Sequence, residues 1–220
     1  MIIDYKTQFL HIPRTGGRFL SFLLIKKYSC MPANFDRDFK DCSICHVDII
    51  QSNSLYASSK MFKTFTIVRN PVTRFISCLK NCNKVNENSI KNMFENETNF
   101  FNTVYKLRKA KTDNWFEPQI NFIEHDTKFW KFENGFKKEF EEWLINNFDL
   151  ELPKIKKGEI EQNEVLNFLE KSKSNYKHEV ILNETQKQYI KNYYFLDCKI
   201  FNYETSTEKN EINGLEEDDS

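Results

Sequence analysis

The chain has 220 residues, 40% of them hydrophobic and 15% aromatic, with 32 Lys and Arg against 32 Asp and Glu. That supplies one sizeable core, so a single domain over 1–204 is expected. No run approaches the roughly 20 apolar residues of a spanning helix, and MIIDYKTQFL at the start lacks the basic flank and long apolar centre of a signal peptide. A soluble, cytoplasmic chain without a membrane-spanning segment is therefore expected.

In chain order, TQFLHIP (7–13) reads as a strand ended by Pro13, and GRFLSFLLIKKY (17–28) as a helix with Phe19, Leu20, Leu23 and Leu24 on one side. SICHVDII (43–50) and MFKTFTIVRN (61–70) read as apolar strands. Pro71 stops the second, and VTRFISCLKNC (72–82) follows as a helix. Residues 83–111 carry a helical pattern rich in Asn and Glu, read as a peripheral insertion. KFWKFE (128–133) is a strand candidate, and NGFKKEFEEWLINNF (134–148) is an amphipathic helix with Phe136, Phe140, Trp143 and Leu144 in one stripe. LPKIKKGEI (152–160) is a basic loop, helices follow near 161–172 and 184–195, and CKIFNY (198–203) is a last strand. Such alternation predicts a three-layer α/β fold, its mostly parallel sheet flanked by helices. Residues 205–220 set six carboxylates against Lys209, a net of −5, and read as a disordered acidic tail. The body before it is left at +5. That charge suits a phosphorylated or sulfated ligand, and scattered surface lysines account for it equally well; no nucleic-acid partner is expected.

CSICH (42–46) matches the c-type haem attachment string, but that attachment needs an export route. Cys42 and Cys45 with Cys78 and Cys82 resemble a loose zinc site, although the second pair has a three-residue gap on a predicted helix. Free thiols and no metal are the expectation.

HIPRTGGRFL (11–20) places a turn with two glycines between a strand and a helix. The first amides of a helix lack intrahelical acceptors and point at whatever lies before them, so this corner suits an anion. Gly16 and Gly17 let the backbone approach, and Arg14 adds a charged fork. A nucleotide-kinase loop reads GxxxxGK[ST]; here Arg18 and Phe19 stand where Lys and Ser or Thr would follow, and the hydroxyl that holds magnesium is missing. FTIVRNPVTRFISCL (65–79) repeats the strand, basic turn and helix, with Arg69 at the strand's end and Ser77 eight residues on. Two such turns at one end of a parallel sheet predict a ligand with two separated phosphate-like groups.

PRTGGR (13–18) and VRNPVTRFIS (68–77) resemble the two donor-binding motifs of the sulfotransferases that use 3′-phosphoadenosine 5′-phosphosulfate. FEPQINFI (116–123) and YIKNYYFLDCKIFNY (189–203) are similar to later segments of the carbohydrate members. The resemblance implies that Arg14, Thr15, Gly16, Gly17, Arg18 and Phe19 hold the 5′-phosphosulfate, that Arg69 and Ser77 hold the 3′-phosphate, and that no metal is required. It implies a hydroxyl acceptor, in the carbohydrate type a glycan. The family usually has Lys at the position of Arg14 and Thr at that of Arg18; Arg14 can stabilise charge on the leaving phosphate but cannot donate a proton to it. Arg74 could reach the 3′-phosphate or pair with a local carboxylate. Lys156 and Lys157 either cover the ligand or form a solvated charge run. Pro118 and Gln119 are expected to shape the acceptor side of the cleft.

CHVDII resembles the segment that carries the histidine base in the uronosyl-type members, which implies that His46 takes the acceptor's proton. Asp48, two residues on in a strand, would share its face and could orient or replace the base. His11 reads as a structural histidine, and nothing beyond residue type recommends His125 or His178. Two rivals remain open at this point, a metal-dependent nucleotide kinase on a similar sheet and a protein that binds the donor or its bisphosphate product without turnover.

Overall fold

Three short apolar segments, far apart in sequence, pair into one parallel sheet. β1 (Thr7–Leu10), β4 (Lys63–Val68) and β5 (Lys128–Lys131) lie in the order β1-β4-β5, with Phe9 opposite Phe65 and Phe65 opposite Lys128. The computed structural model describes residues 1–4, 6–28, 38–39, 42–43, 46, 48, 62–82, 85–110, 114–153 and 180–203. Between the strands run α1 (Gly17–Tyr28), the hairpin strands β2 (Asp38–Phe39) and β3 (Cys42–Ser43), α2 (Pro71–Asn81), α3 (Glu87–Met93) and α4 (Glu97–Lys109). After β5 come α5 (Lys138–Phe148), α6 (Glu184–Tyr193) and α7 (Phe195–Ile200). This is a mixed α/β fold with a parallel sheet flanked by helices, as the alternation predicts.

β4 is paired on both edges, and its residues from Thr64 to Val68 are all buried. Its two faces still differ, because side chains alternate along a strand. Phe65 and Ile67 join Phe9, Leu20 and Leu24 of α1, and Phe140, Leu144 and Phe148 of α5 in one core. On the other face the Thr64 and Thr127 hydroxyls bond each other at 3.0 Å, and the Thr66 hydroxyl donates to the Leu10 carbonyl at 2.6 Å.

A second core gathers Phe75, Cys78 and Leu79 of α2 with Phe94, Phe100, Val104, Ile190 and Tyr194. The described part of the 83–111 region forms two helices whose buried residues join this core. Its richness in Asn has a local cause: Asn86 and Asn96 cap α3 and α4, each accepting a backbone amide on its side chain.

Two expected strands are corrected. Residues 198–203 are not a strand; α7 runs from Phe195 to Ile200, then a turn. Tyr194, Asp197, Cys198 and Phe201 are buried while Ile200 is 45% exposed, a spacing that suits a helix and not a pleat. In the 43–50 segment, strand pairing is described only at Cys42–Ser43 against Asp38–Phe39; His46 sits in a helical turn and Asp48 outside regular structure. A short apolar run does not by itself distinguish strand from turn. The helix expected near 161–172, the basic loop with Lys156 and Lys157, Cys45 and the acidic tail lie outside the described residues. Cys78, Cys82 and Cys198 are buried free thiols. Among the described residues, no helix is long and apolar enough to cross a membrane.

Asp197 shows how α7 supports the sheet's working end. Fully buried, its carboxylate accepts the amides of Gln119 at 2.8 Å and Ile120 at 3.0 Å. Burial pushes its pKa up, and the two amides oppose that. Replacing it with Ala strands two amide donors, one buried and one partly so, and Asp197→Ala is expected to cost about 3 kcal/mol in urea unfolding, and Asp197→Asn, which keeps one acceptor oxygen, less.

Candidate anion-binding site

β1 ends at Leu10, and the chain turns through Arg14 (φ 68°) and Gly16 (φ 86°), both left-handed, before α1 begins at Gly17. Thr15 fixes this loop from beneath, fully buried, its hydroxyl donating to the Ile12 carbonyl at 2.8 Å. Neither glycine has room for a side chain. A Cβ on Gly16 would lie 2.8 Å from a ring carbon of Phe132, and one on Gly17 would lie 2.3 Å from Cδ2 of His11. The first turn of α1 has no acidic residue, exposes Arg18, and half-buries Phe19 with its ring centroid 6.0 Å from that of Phe136. This helix start remains favourable to a negative charge.

The second turn works differently. Asn70 caps α2, accepting the amides of Val72 at 3.0 Å and Thr73 at 3.4 Å, so these amides already have a partner. An anion at this turn must be held by side chains. Arg69 supplies one: its Nε donates to Thr73 Oγ1 at 3.1 Å, and Nη1 to the carbonyl of Arg14 at 3.2 Å. Arg14 reaches back, its Nε donating to Ser77 Oγ at 3.1 Å. The two turns predicted to bind anions are thus bonded to each other. Aromatic faces back the arginines, with the Arg14 guanidinium 5.6 Å from the Trp115 ring centroid and that of Arg69 4.7 Å from Phe132.

Arg74 is only 2% exposed and bonds backbone carbonyls, not a local carboxylate. Its Nε donates to the Pro13 carbonyl at 3.0 Å, Nη1 to Glu117 at 2.8 Å and Nη2 to Trp115 at 3.0 Å. These are neutral acceptors, so its charge still acts on the site. The buried Cys78 thiol registers the field: burial pushes its pKa up, while Arg74, Arg14 and Arg69 all pull the other way.

Gln119 is fully buried and clamps the Arg69 backbone, its Oε1 accepting that amide at 2.9 Å and its Nε2 donating to that carbonyl at 2.8 Å. It thereby supports the second turn. Pro118, half-buried, precedes the short helical turn Gln119–Phe122.

His46 is half-buried, its carbonyl accepting Nδ2 of Asn114 at 3.0 Å. Its ring meets that of His11 edge-on, centroids 4.9 Å apart. Since His11 also touches Gly17, the structure brings His46 to the first turn through a single intervening ring. Asp48 is half-buried, but it is not in a strand, so the shared-face argument does not apply. His125 is on the surface beside Asp126, and His178 lies outside the described residues. Sequence reasoning passed over His11, Trp115 and Phe132 as site residues; only the position of His11 directly before IPRTGG gave a signal.

Burial, followed by the positive charge of His46, the amino terminus, Arg18 and Arg14, holds His11 well below its ordinary pKa of 6.5. A folded-state pKa below the unfolded one gives stability present above pH 6.5 and lost as pH falls toward the folded value. Stability is expected to decline below pH 6.5 by up to about 1.4 kcal/mol per pH unit from this group, and less steeply in His11→Gln; urea titrations at several pH values measure it. For Arg74→Met, three carbonyls lose their donor and a loss of about 3–5 kcal/mol is expected, which Arg74→Lys should not recover because one ammonium cannot match the fork.

A family model described as the sulfotransferase family matches residues 3–204. No curated protein and no solved structure matches the chain.

Proposed function

Because the chain belongs to the sulfotransferase family, we propose that it moves the sulfuryl group of 3′-phosphoadenosine 5′-phosphosulfate to the hydroxyl of a glycan. One observation supports the two-anion donor above all: the two turns, far apart in sequence, are bonded to each other, Arg69 donating to the Arg14 carbonyl and Arg14 to the Ser77 hydroxyl. Under this reading, Arg14 and the amides of residues 15–18 receive the 5′-phosphosulfate, with Arg18 and Phe19 at its rim. Arg69 and Ser77 receive the 3′-phosphate. Lys156 and Lys157 would cover the ligand from the basic loop. Arg74 and Gln119 act behind this shell, the first on three carbonyls and the second on the Arg69 backbone. Pro118 borders the acceptor side.

In the proposed reaction the acceptor oxygen attacks sulfur in line as the bond from sulfur to the bridging phosphate oxygen breaks. The electron pair stays on that oxygen, where Arg14 stabilises the growing charge, and the hydroxyl proton passes to His46. Asp48 is the alternative base or a partner that orients it.

Calorimetric titration with adenosine 3′,5′-bisphosphate tests the donor site. Arg69→Ala is expected to weaken binding by roughly 1.5–3 kcal/mol and Ser77→Ala by less, since each removes a donor to a charged group. Unchanged affinity in both would remove the second turn from the donor site. A glycan screen with labelled donor tests the reaction. Arg14→Ala should fold, yet lose most of its turnover, because its charge is needed chiefly when the leaving oxygen becomes anionic. Binding of the bisphosphate with no transfer to any acceptor would reduce the protein to a binder.

A further inference from the structure

The His11 side chain touches both the first anion turn and the histidine proposed as base. Its ring stacks on that of the fully buried Phe9, centroids 5.9 Å apart and planes at 18°. Its Cδ2 and Nε2 edge lies where a Cβ of Gly17 would come within 2.3 and 2.7 Å, so ring and backbone are in closest packing. Its third contact is the His46 ring, 4.9 Å away at 67°. Core, turn and base therefore meet on one imidazole.

We propose that His11 is a positioning residue, a rigid spacer bolted to the core through Phe9 that sets His46 at a fixed distance from the Gly16–Gly17 turn. The inference rests on the sulfotransferase reading and on His46 as the base. Attack in line needs the acceptor oxygen held between sulfur and base, and sulfur is held by this turn. An error of about 1 Å in that separation costs on the order of a hundredfold in rate. Glycine at 17 fits the same logic, because any side chain there would push His11 away.

Charge adds a second part to the role. The groups acting on His11 are His46, the amino terminus, Arg18 and Arg14, all cationic when protonated. In that company, and buried, His11 stays neutral. A charged imidazole in its place would oppose the proton that His46 must accept, so the neutral spacer keeps the base usable.

The test uses the full chain with His11→Ala and His11→Gln. Ala removes the spacer, whereas Gln restores a neutral side chain that reaches the Nε2 position. Turnover in His11→Ala is expected to fall roughly ten- to a hundredfold while the bisphosphate Kd and the donor KM change by less than about threefold, and His11→Gln should recover most of the loss. An Ala variant, folded, with wild-type turnover overturns the proposal. So does a loss that appears only in melting temperature. An NMR titration reads the contact without any activity: the His11 ring should stay neutral well below its ordinary pKa, and His11→Ala should shift the His46 ring resonances. A His11 that titrates near its ordinary value, or His46 signals unmoved by His11→Ala, would sink the inference even if the enzyme works. If the wild type sulfates nothing yet the NMR results hold, the functional reading fails and the spacer remains as a structural fact.

Discussion

The buried guanidinium of Arg74 is the interaction on which the site's frame depends. Taking a cation out of water costs several kcal/mol, and only a full set of acceptors makes it tolerable. Here the acceptors are backbone carbonyls from the first anion turn, Pro13, and from the segment at Trp115 and Glu117. One side chain on α2 therefore ties together three stretches that sequence keeps far apart. Had a carboxylate taken this place, the field would have been cancelled. Carbonyls fix the guanidinium and leave its charge in force, so a positive centre sits beneath the turns where Arg14 and Arg69 meet.

The two turns then divide the work by how their helices are capped. α1 starts on a glycine, with a left-handed residue before it and no acid in its first turn, so backbone amides and the helix dipole favour an anion there. α2 starts on Asn70, which holds the amides of Val72 and Thr73. Its turn can bind only through side chains, and that places the burden on Arg69 and Ser77. A backbone cradle lets an anion approach closely, whereas a side-chain grip holds one at arm's length.

Both turns, the strand and helix around each, and the parallel sheet were legible in the sequence, because a strand closed by Pro or Gly and followed by a helix leaves a local signature. What was not legible depends on contacts between distant segments. Gln119 looked like a loop residue, and its bonds to the Arg69 backbone, 50 positions before it, and to Asp197, 78 positions after it, could not be read from its neighbours in sequence. The place of Arg74 in the helix's first turn was legible, but its burial and its three carbonyl partners were not, because burial is a property of the whole packing. The 198–203 run read as a strand since apolar residues alternate in CKIFNY, but Cys198 and Phe201 pack inward at helical spacing while Ile200 faces out. His11 lost its meaning when read as one residue of a strand, because its neighbours His46 and Gly17 come from other elements, a helical turn and the start of α1.

Arg at position 14, where the resembled family usually has Lys, fits this geometry. Among the described residues only Nε of its guanidinium is hydrogen-bonded, to Ser77, and the ring of Trp115 backs the group. A planar fork can hold Ser77 through Nε and still present its two terminal nitrogens elsewhere; an ammonium, a single point on a flexible stem, would have to choose. The left-handed backbone at Arg14 is uncommon for a residue with a side chain, and here both ends of the residue are engaged, the carbonyl by Arg69 and the guanidinium by Ser77. Arginine thus couples the two anion-ready turns in a way that lysine could not, at the expense of the proton that lysine could have offered to the leaving oxygen.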